Sequence, residues 1–110
     1  WAARADDVLS WVPARLTAAL LGLLGAARGL GTLPAQARRT PSPNSGWPMA
    51  AMALALDVRL AKPGVYELHG AGRAAQAADT QQALRLASRA VVLVAVAALL
   101  WAVVWWGLVP

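Results

Sequence analysis

The sequence predicts an all-α fold belonging to a polytopic integral membrane protein, with a cytoplasmic amphipathic-helix and loop region. Three observations carry this. Of 110 residues, 59% are hydrophobic and only 14% charged, with a mean hydropathy of +0.52, which is too apolar for an ordinary soluble domain of this length. Residues 90–109 contain no charge, and a helix of that length rises about 30 Å, the thickness of a bilayer core. Eight of the ten basic residues lie between this run and an earlier apolar stretch, opposed there only by Asp57, Glu67 and Asp79. Such a bias puts the connection on the cytoplasmic side. The chain starts at Trp1, without a basic and then apolar leader, so it reads as beginning inside a longer protein or after processing.

Taken in order, Asp6 and Asp7 precede an apolar face of Val8, Trp11 and Val12, and Pro13 is expected to break or restart a helix before Arg15. Residues 16–27 are apolar but too few to cross a bilayer unassisted. A short, tilted or re-entrant helix within 16–33 is therefore expected. Extending it back to Val8 buries Arg15 and extending it on to Leu33 buries Arg28, at about 2.5 to 3.5 kcal/mol for a charge near the centre. Gly22, Gly25 and Gly29 follow at spacings of three and four, which permits close helix contact.

Residues 34–78 are expected to be a loop region holding one short helix. Four prolines in 32–48 argue for an ordered loop there. Pro48 suits the first turn of an amphipathic helix with Met49, Met52, Leu56 and Leu60 on one face, ending near Lys62, Pro63 and Gly64. Residues 65–78 show no strong period and read as irregular. Residues 79–109 are expected to form a lead-in, capped by Asp79 with Gln82 three residues on, followed by a transmembrane helix. Arg85 and Arg89 flank its start, and Trp101, Trp105 and Trp106 gather near its end as interfacial anchors.

Several chemistries are excluded by inventory. With no cysteine and one histidine, disulfides, thiolate chemistry and the usual zinc sets are absent. Ser42 or Ser45 with His69 and Asp57 could formally make a triad, but no nucleophile elbow surrounds either serine. No Walker loop occurs. A net charge of +5 could suit nucleic acid, but the basic connection has only Trp47 and Tyr66 as aromatics, which speaks against it. The run Ser42-Pro43-Asn44-Ser45-Gly46-Trp47-Pro48 stands out as a proline-stiffened loop that either caps a helix or presents amides and short polar side chains to a ligand. Asp6 and Asp7 could hold a magnesium ion or cap a helix. Arg15 is either a snorkelling anchor or an inward-facing anion site.

The strings Asp6-Asp7-Val8-Leu9-Ser10-Trp11-Val12-Pro13-Ala14-Arg15-Leu16-Thr17 and Ser42-Pro43-Asn44-Ser45-Gly46-Trp47-Pro48-Met49-Ala50-Ala51-Met52-Ala53, then Tyr66, resemble the carboxy-terminal part of the CobD/CbiB family of cobalamin-biosynthesis membrane proteins. The resemblance covers essentially the whole chain but only the last third or so of a family member, and so implies that the chain is inactive by itself. It implies a multi-pass protein of the bacterial inner membrane acting as an ATP-dependent acid–amine ligase of the adenosylcobinamide-phosphate synthase type. Such an enzyme joins aminopropanol, or its phosphate, to a carboxylate of the corrinoid adenosylcobyric acid. ATP and magnesium are the implied cofactors. Membrane lipid and other cobalamin-pathway membrane enzymes are the implied partners, and nucleic acid is not. Carried over by motif, Asp6, Asp7, Arg15 and Asn44 are the catalytic candidates. Ser42, Asn44, Ser45 and Gly46 are candidates for substrate binding, and Asp6 and Asp7 for the metal. The chain departs from the family pattern at Gln36 and Thr40, where many members have Asp and His, at Met49, where an acid is usual, and at Ala61-Lys62-Pro63, usually Gly-Gly-Pro. Leu54 and Asp57 depart more weakly. The competing class is a non-enzymatic transport or assembly subunit.

Overall fold

A computed structural model describes residues 1–26 and 29–110. It is mostly helical. The first helix, α1 (Ala2–Leu9), runs almost without interruption into α2 (Trp11–Leu24). Ser10 between them keeps right-handed dihedrals, donates its N–H to Asp6 and accepts from Ala14. Together they make an apolar rod of 23 residues. Pro13 occupies the third position of α2, where a missing N–H leaves no intrahelical bond unmade. Relative to the helix expected within 16–33, α2 is shifted toward the N-terminus. It stops because Gly25 caps it and Ala26 turns left-handed with φ 65°, and a 3₁₀ turn at Leu30–Thr32 follows. Ala27 and Arg28 lie outside the described residues.

Within the expected loop of 32–48 the structure has a further helix, α3 (Leu33–Ala37), with Pro34 in its first turn. It is five residues long and its signal was hidden by the prolines around it. The helix α4 (Gly46–Leu56) then forms the centre of the fold, packed against α2 and α3. It is shorter than expected and is not amphipathic. Gly46, Ala50, Ala51, Ala53, Leu54 and Ala55 are all buried, whereas Met49 and Met52 are only partly so. Alanines on several sides let neighbouring elements approach from each, so the helix has no solvent face for a pattern to reveal. Gly25 of α2 meets the Cβ of Ala55 so closely that a side chain there would collide with it.

Asp57, with φ 54°, ends α4. A small sheet follows, which corrects the all-α expectation: β1 (Val58–Lys62), β2 (Tyr66–Leu68) and β3 (Arg73–Ala74), in the order β2-β1-β3. β1 and β2 are an antiparallel hairpin with Leu60 opposite Leu68, turned at Pro63 and Gly64 (φ 76°), and β3 runs parallel to β1. Leu60, expected on the α4 face, belongs to β1. Strands of five, three and two residues are too short to display a period of two, so 65–78 read as irregular. Leu68, fully buried, joins the sheet to the helical core.

The last helix, α5 (Ala77–Leu108), is 32 residues long. Its cap is Gln76, not Asp79. Asp79 stands three residues on and receives the Gln76 N–H at 2.7 Å in a capping box. Leu86 and Ala90 pack onto the core. Beyond Ala90 the apolar side chains are exposed, from Val91 to Leu108, and Trp101 stacks on Trp105 with ring centroids 6.1 Å apart. Both the α1–α2 rod and α5 are long and apolar enough to cross a membrane.

Candidate functional site

The proline-stiffened loop expected to be special is the meeting point of α1, α2 and α4. Its organiser is Asn44, only 6% exposed. The Asn44 side-chain amide donates to the carbonyl of Asp7 in α1 (2.8 Å), and its carbonyl oxygen accepts from Arg15 Nη1 in α2 (3.1 Å). Arg15 also donates to the carbonyls of Trp11 (3.0 Å) and Pro43 (3.4 Å). The loop is folded by its own hydroxyls. Ser42 Oγ accepts the N–H groups of Asn44 and Ser45, and Thr40 donates to the Ser42 carbonyl at 3.1 Å. These are the turn-forming bonds that short polar side chains make.

The guanidinium of Arg15 lies between two indoles, 4.0 Å from the ring centre of Trp11 and 4.7 Å from that of Trp47. Among the described residues no carboxylate pairs with it. Its partners are three neutral oxygens and two ring faces, which orient the fork without cancelling its charge. Trp11 was detectable in the sequence by its place four residues before Arg15 on one helix face. Trp47 required the fold.

Two clefts flank the loop, and Ser42 borders both. One, of about 310 Å³, is lined by Arg15, Arg38, Thr40, Pro43 and Trp47. The other, of about 330 Å³, is lined by Asp6, Asp7, Ser10, Asn44 and Ser45. The residues singled out from sequence are thus brought together, with the arginine on one side of the loop and the two acids on the other. Asp6 is exposed and accepts from the Ser10 hydroxyl at 3.4 Å, while Asp7 is half-buried. No third histidine, aspartate or glutamate joins them among the described residues. Gly46 lines neither cleft. It is buried where a Cβ would strike the Ala37 carbonyl, so in this structure it lets α4 begin against the end of α3.

The departures from the family pattern also have places. The Gln36 side chain accepts the His69 N–H at 2.8 Å, and Met49 fills the edge of the core. His69 Nε2 lies 2.7 Å from Asp57 Oδ1, and among the described residues neither Ser42 nor Ser45 hydrogen-bonds that histidine, so no triad forms. A second arginine junction lies beside the sheet. Arg73 grips Asp79 with both terminal nitrogens, Nη1 at 2.8 Å. Hydrogen bonds from Arg73, then from the Gln76 N–H, hold the Asp79 carboxyl at about 2, below its ordinary 3.8. The same pairing raises the pKa of Arg73.

The sequence model of the CobD/Cbib protein family matches residues 1–94. The chain is 48% identical over 96 residues to a probable cobalamin biosynthesis protein CobD of Methanothrix thermoacetophila, covering 84% of this chain and 30% of that protein. It is 39% identical over 118 residues to the cobalamin biosynthesis protein CobD of Rhodobacter capsulatus, covering 94% of this chain and 38% of the relative. A probable CobD of Aeropyrum pernix is 40% identical over 106 residues, covering 91% and 33%. The chain therefore spans about a third of the length of these relatives. No solved structure matches it. The motifs that build the two clefts lie inside the matched region, and the chain belongs to the CobD/CbiB family of cobalamin biosynthesis proteins.

Proposed function

We propose that this chain supplies the corrinoid-amidating site of a membrane-bound ligase, one that joins a carboxylate of adenosylcobyric acid to aminopropanol or its phosphate. The observation that carries the reading is Arg15, a half-buried guanidinium held by Trp11, Trp47 and Asn44 with no acid among the described residues to neutralise it. A fixed positive charge on a cleft wall suits a carboxylate or phosphate that must be oriented for attack. Arg38 on the same wall adds to it.

Amide formation from a carboxylate needs activation, and ATP is the co-substrate this reading requires. Asp6 and Asp7 fit the magnesium of a nucleotide in kind, since that ion takes one or two carboxylates and completes its shell with phosphate and water. When bound, it would neutralise phosphate charge. Alternatively one of the two, across the loop from Arg15 and not engaged by the ion, attracts the ammonium of the amine and can take up the proton released when the amide forms. Asn44 holds the two clefts in register through Asp7 and Arg15. The exposed apolar length of α5 and the α1–α2 rod support a multi-pass setting in the bacterial inner membrane.

Complementation tests this. A strain lacking the step, carrying the intact gene, should grow when supplied with adenosylcobyric acid. Growth only on adenosylcobinamide, with the protein present in the membrane, would sink the ligase reading in favour of a transport or assembly subunit.

A further inference from the structure

A third cleft, about 260 Å³, lies where α5 passes the C-terminal ends of α2 and α4, away from the loop. Gln82, Arg85 and Arg89 line one wall, at spacings of three and four that put them on one helix face. Gly25 and Ala55 form the floor, low because the two helices touch there without an intervening side chain. Among the described residues neither Arg85 nor Arg89 has a hydrogen-bond or ion-pair partner, leaving each with about five unengaged N–H donors. The carbonyl ends of α2 and α4 favour cations nearby, but the Leu56 carbonyl already accepts from Arg73 at 3.4 Å. The twenty uncharged residues begin at Ala90, directly after Arg89.

We infer that this cleft binds a phosphate group at the membrane surface, through Arg85, Arg89 and the amide of Gln82. The inference rests on the reading of α5 as a membrane span, which sets Arg85 and Arg89 within the first turns outside the hydrocarbon, at the depth of lipid phosphates. Phosphate fits better than a carboxylate because its oxygens can engage two guanidinium forks and an amide at once. An anionic lipid headgroup and a soluble phosphate ester share this chemistry.

The test uses the intact protein in nanodiscs of phosphatidylcholine doped with phosphatidylglycerol, with retained lipid counted by native mass spectrometry. Recovery of the protein in the membrane fraction comes first, and its absence there would overturn the membrane reading and this inference with it. Phosphatidylglycerol should be retained over phosphatidylcholine, and R85Q and R89Q should each reduce that preference about fivefold. The pair R59Q and K62Q, on β1, should leave it unchanged. Should the arginine variants fail to accumulate, Q82E, at an exposed position, should lower retention by setting a like charge against the phosphate. Displacement of the lipid by millimolar inorganic phosphate, or protection by that phosphate against thermal unfolding in detergent, would support the site and point to a soluble phosphate source. A membrane-embedded protein with no lipid preference and no phosphate protection, or one unaffected by these substitutions, would overturn this inference and leave the ligase reading standing.

Discussion

Arg15 and Arg73 each join two segments with both terminal nitrogens of a guanidinium, α2 to the loop nearly thirty residues on and β3 to the start of α5 six residues on, yet their surroundings are opposite. Arg73 meets a carboxylate, Asp79, and the pair closes the start of α5 with its charges matched. Among the described residues Arg15 meets only carbonyl oxygens and indole faces, so its charge is held in place and left uncancelled on a cleft wall. The lesson is that partner chemistry, more than the presence of an arginine, separates a joint from a binding group. A matched pair gains by being closed, and an oriented cation gains by meeting an anion from outside.

The largest effect that would sharpen this contrast comes from R15Q. In the intact protein it should lower corrinoid amidation by about 100-fold, the scale of losing one fixed charge-stabilising group, with membrane abundance close to wild type. Quantitative assay of membranes alongside immunoblotting checks this, and activity within a few-fold of wild type would break the comparison. R73Q should do the reverse, changing stability and leaving amidation little altered.

N44L comes next. Because Asn44 is buried and joins three segments, its loss strands the Asp7 carbonyl and the inner side of Arg15, at a cost of about 1 to 3 kcal/mol. Thermal unfolding in detergent should show the loss together with reduced activity. Because Asn44 joins Asp7 to Arg15, substituting it does not by itself distinguish an enzyme from a packing protein, whereas substituting Arg15 does.

A smaller effect is set by acid. The Asp79 carboxyl is held at about 2 against an ordinary 3.8, so its contribution to the α5 start is present above about pH 4 and is lost as the pH falls through 2. Hydrogen exchange of residues 73–80 should therefore quicken across that window, and R73Q should move the change toward pH 4. No shift in the variant would mean that the Gln76 amide alone holds the carboxyl down. The smallest effect is expected of D57G. Glycine relieves a left-handed backbone position while removing the contact to His69, and the two should offset to within about 1 kcal/mol. A larger loss of stability would show that the interactions of the Asp57 side chain, the His69 contact among them, outweigh the backbone strain.

Much of this was legible from residues. The run ahead of Val109 and its tryptophans announced α5 by length and apolarity, since no small domain could bury them. Pro48 marked the first turn of α4, and the Ser42 to Trp47 string marked the loop. The sheet was hidden, because its strands are shorter than a period can register and exist only through pairing. So was the role of Gln76, whose capping depends on the position of Asp79 in space. The close approach of Gly46 to the Ala37 carbonyl was hidden too, since it depends on where α3 ends in space.

By itself, then, the sequence determined the long apolar helix, the basic connection and the membership of the family, because length, charge and motif are properties of the chain in order. Only the tertiary structure decided that Arg15 meets no carboxylate among the described residues, that Asn44 binds α1 to α2, and that Arg85 and Arg89 border an open cleft. Those are facts about which groups meet across tens of residues, and side-chain partners at that separation are chosen by packing around α4, not by local preference.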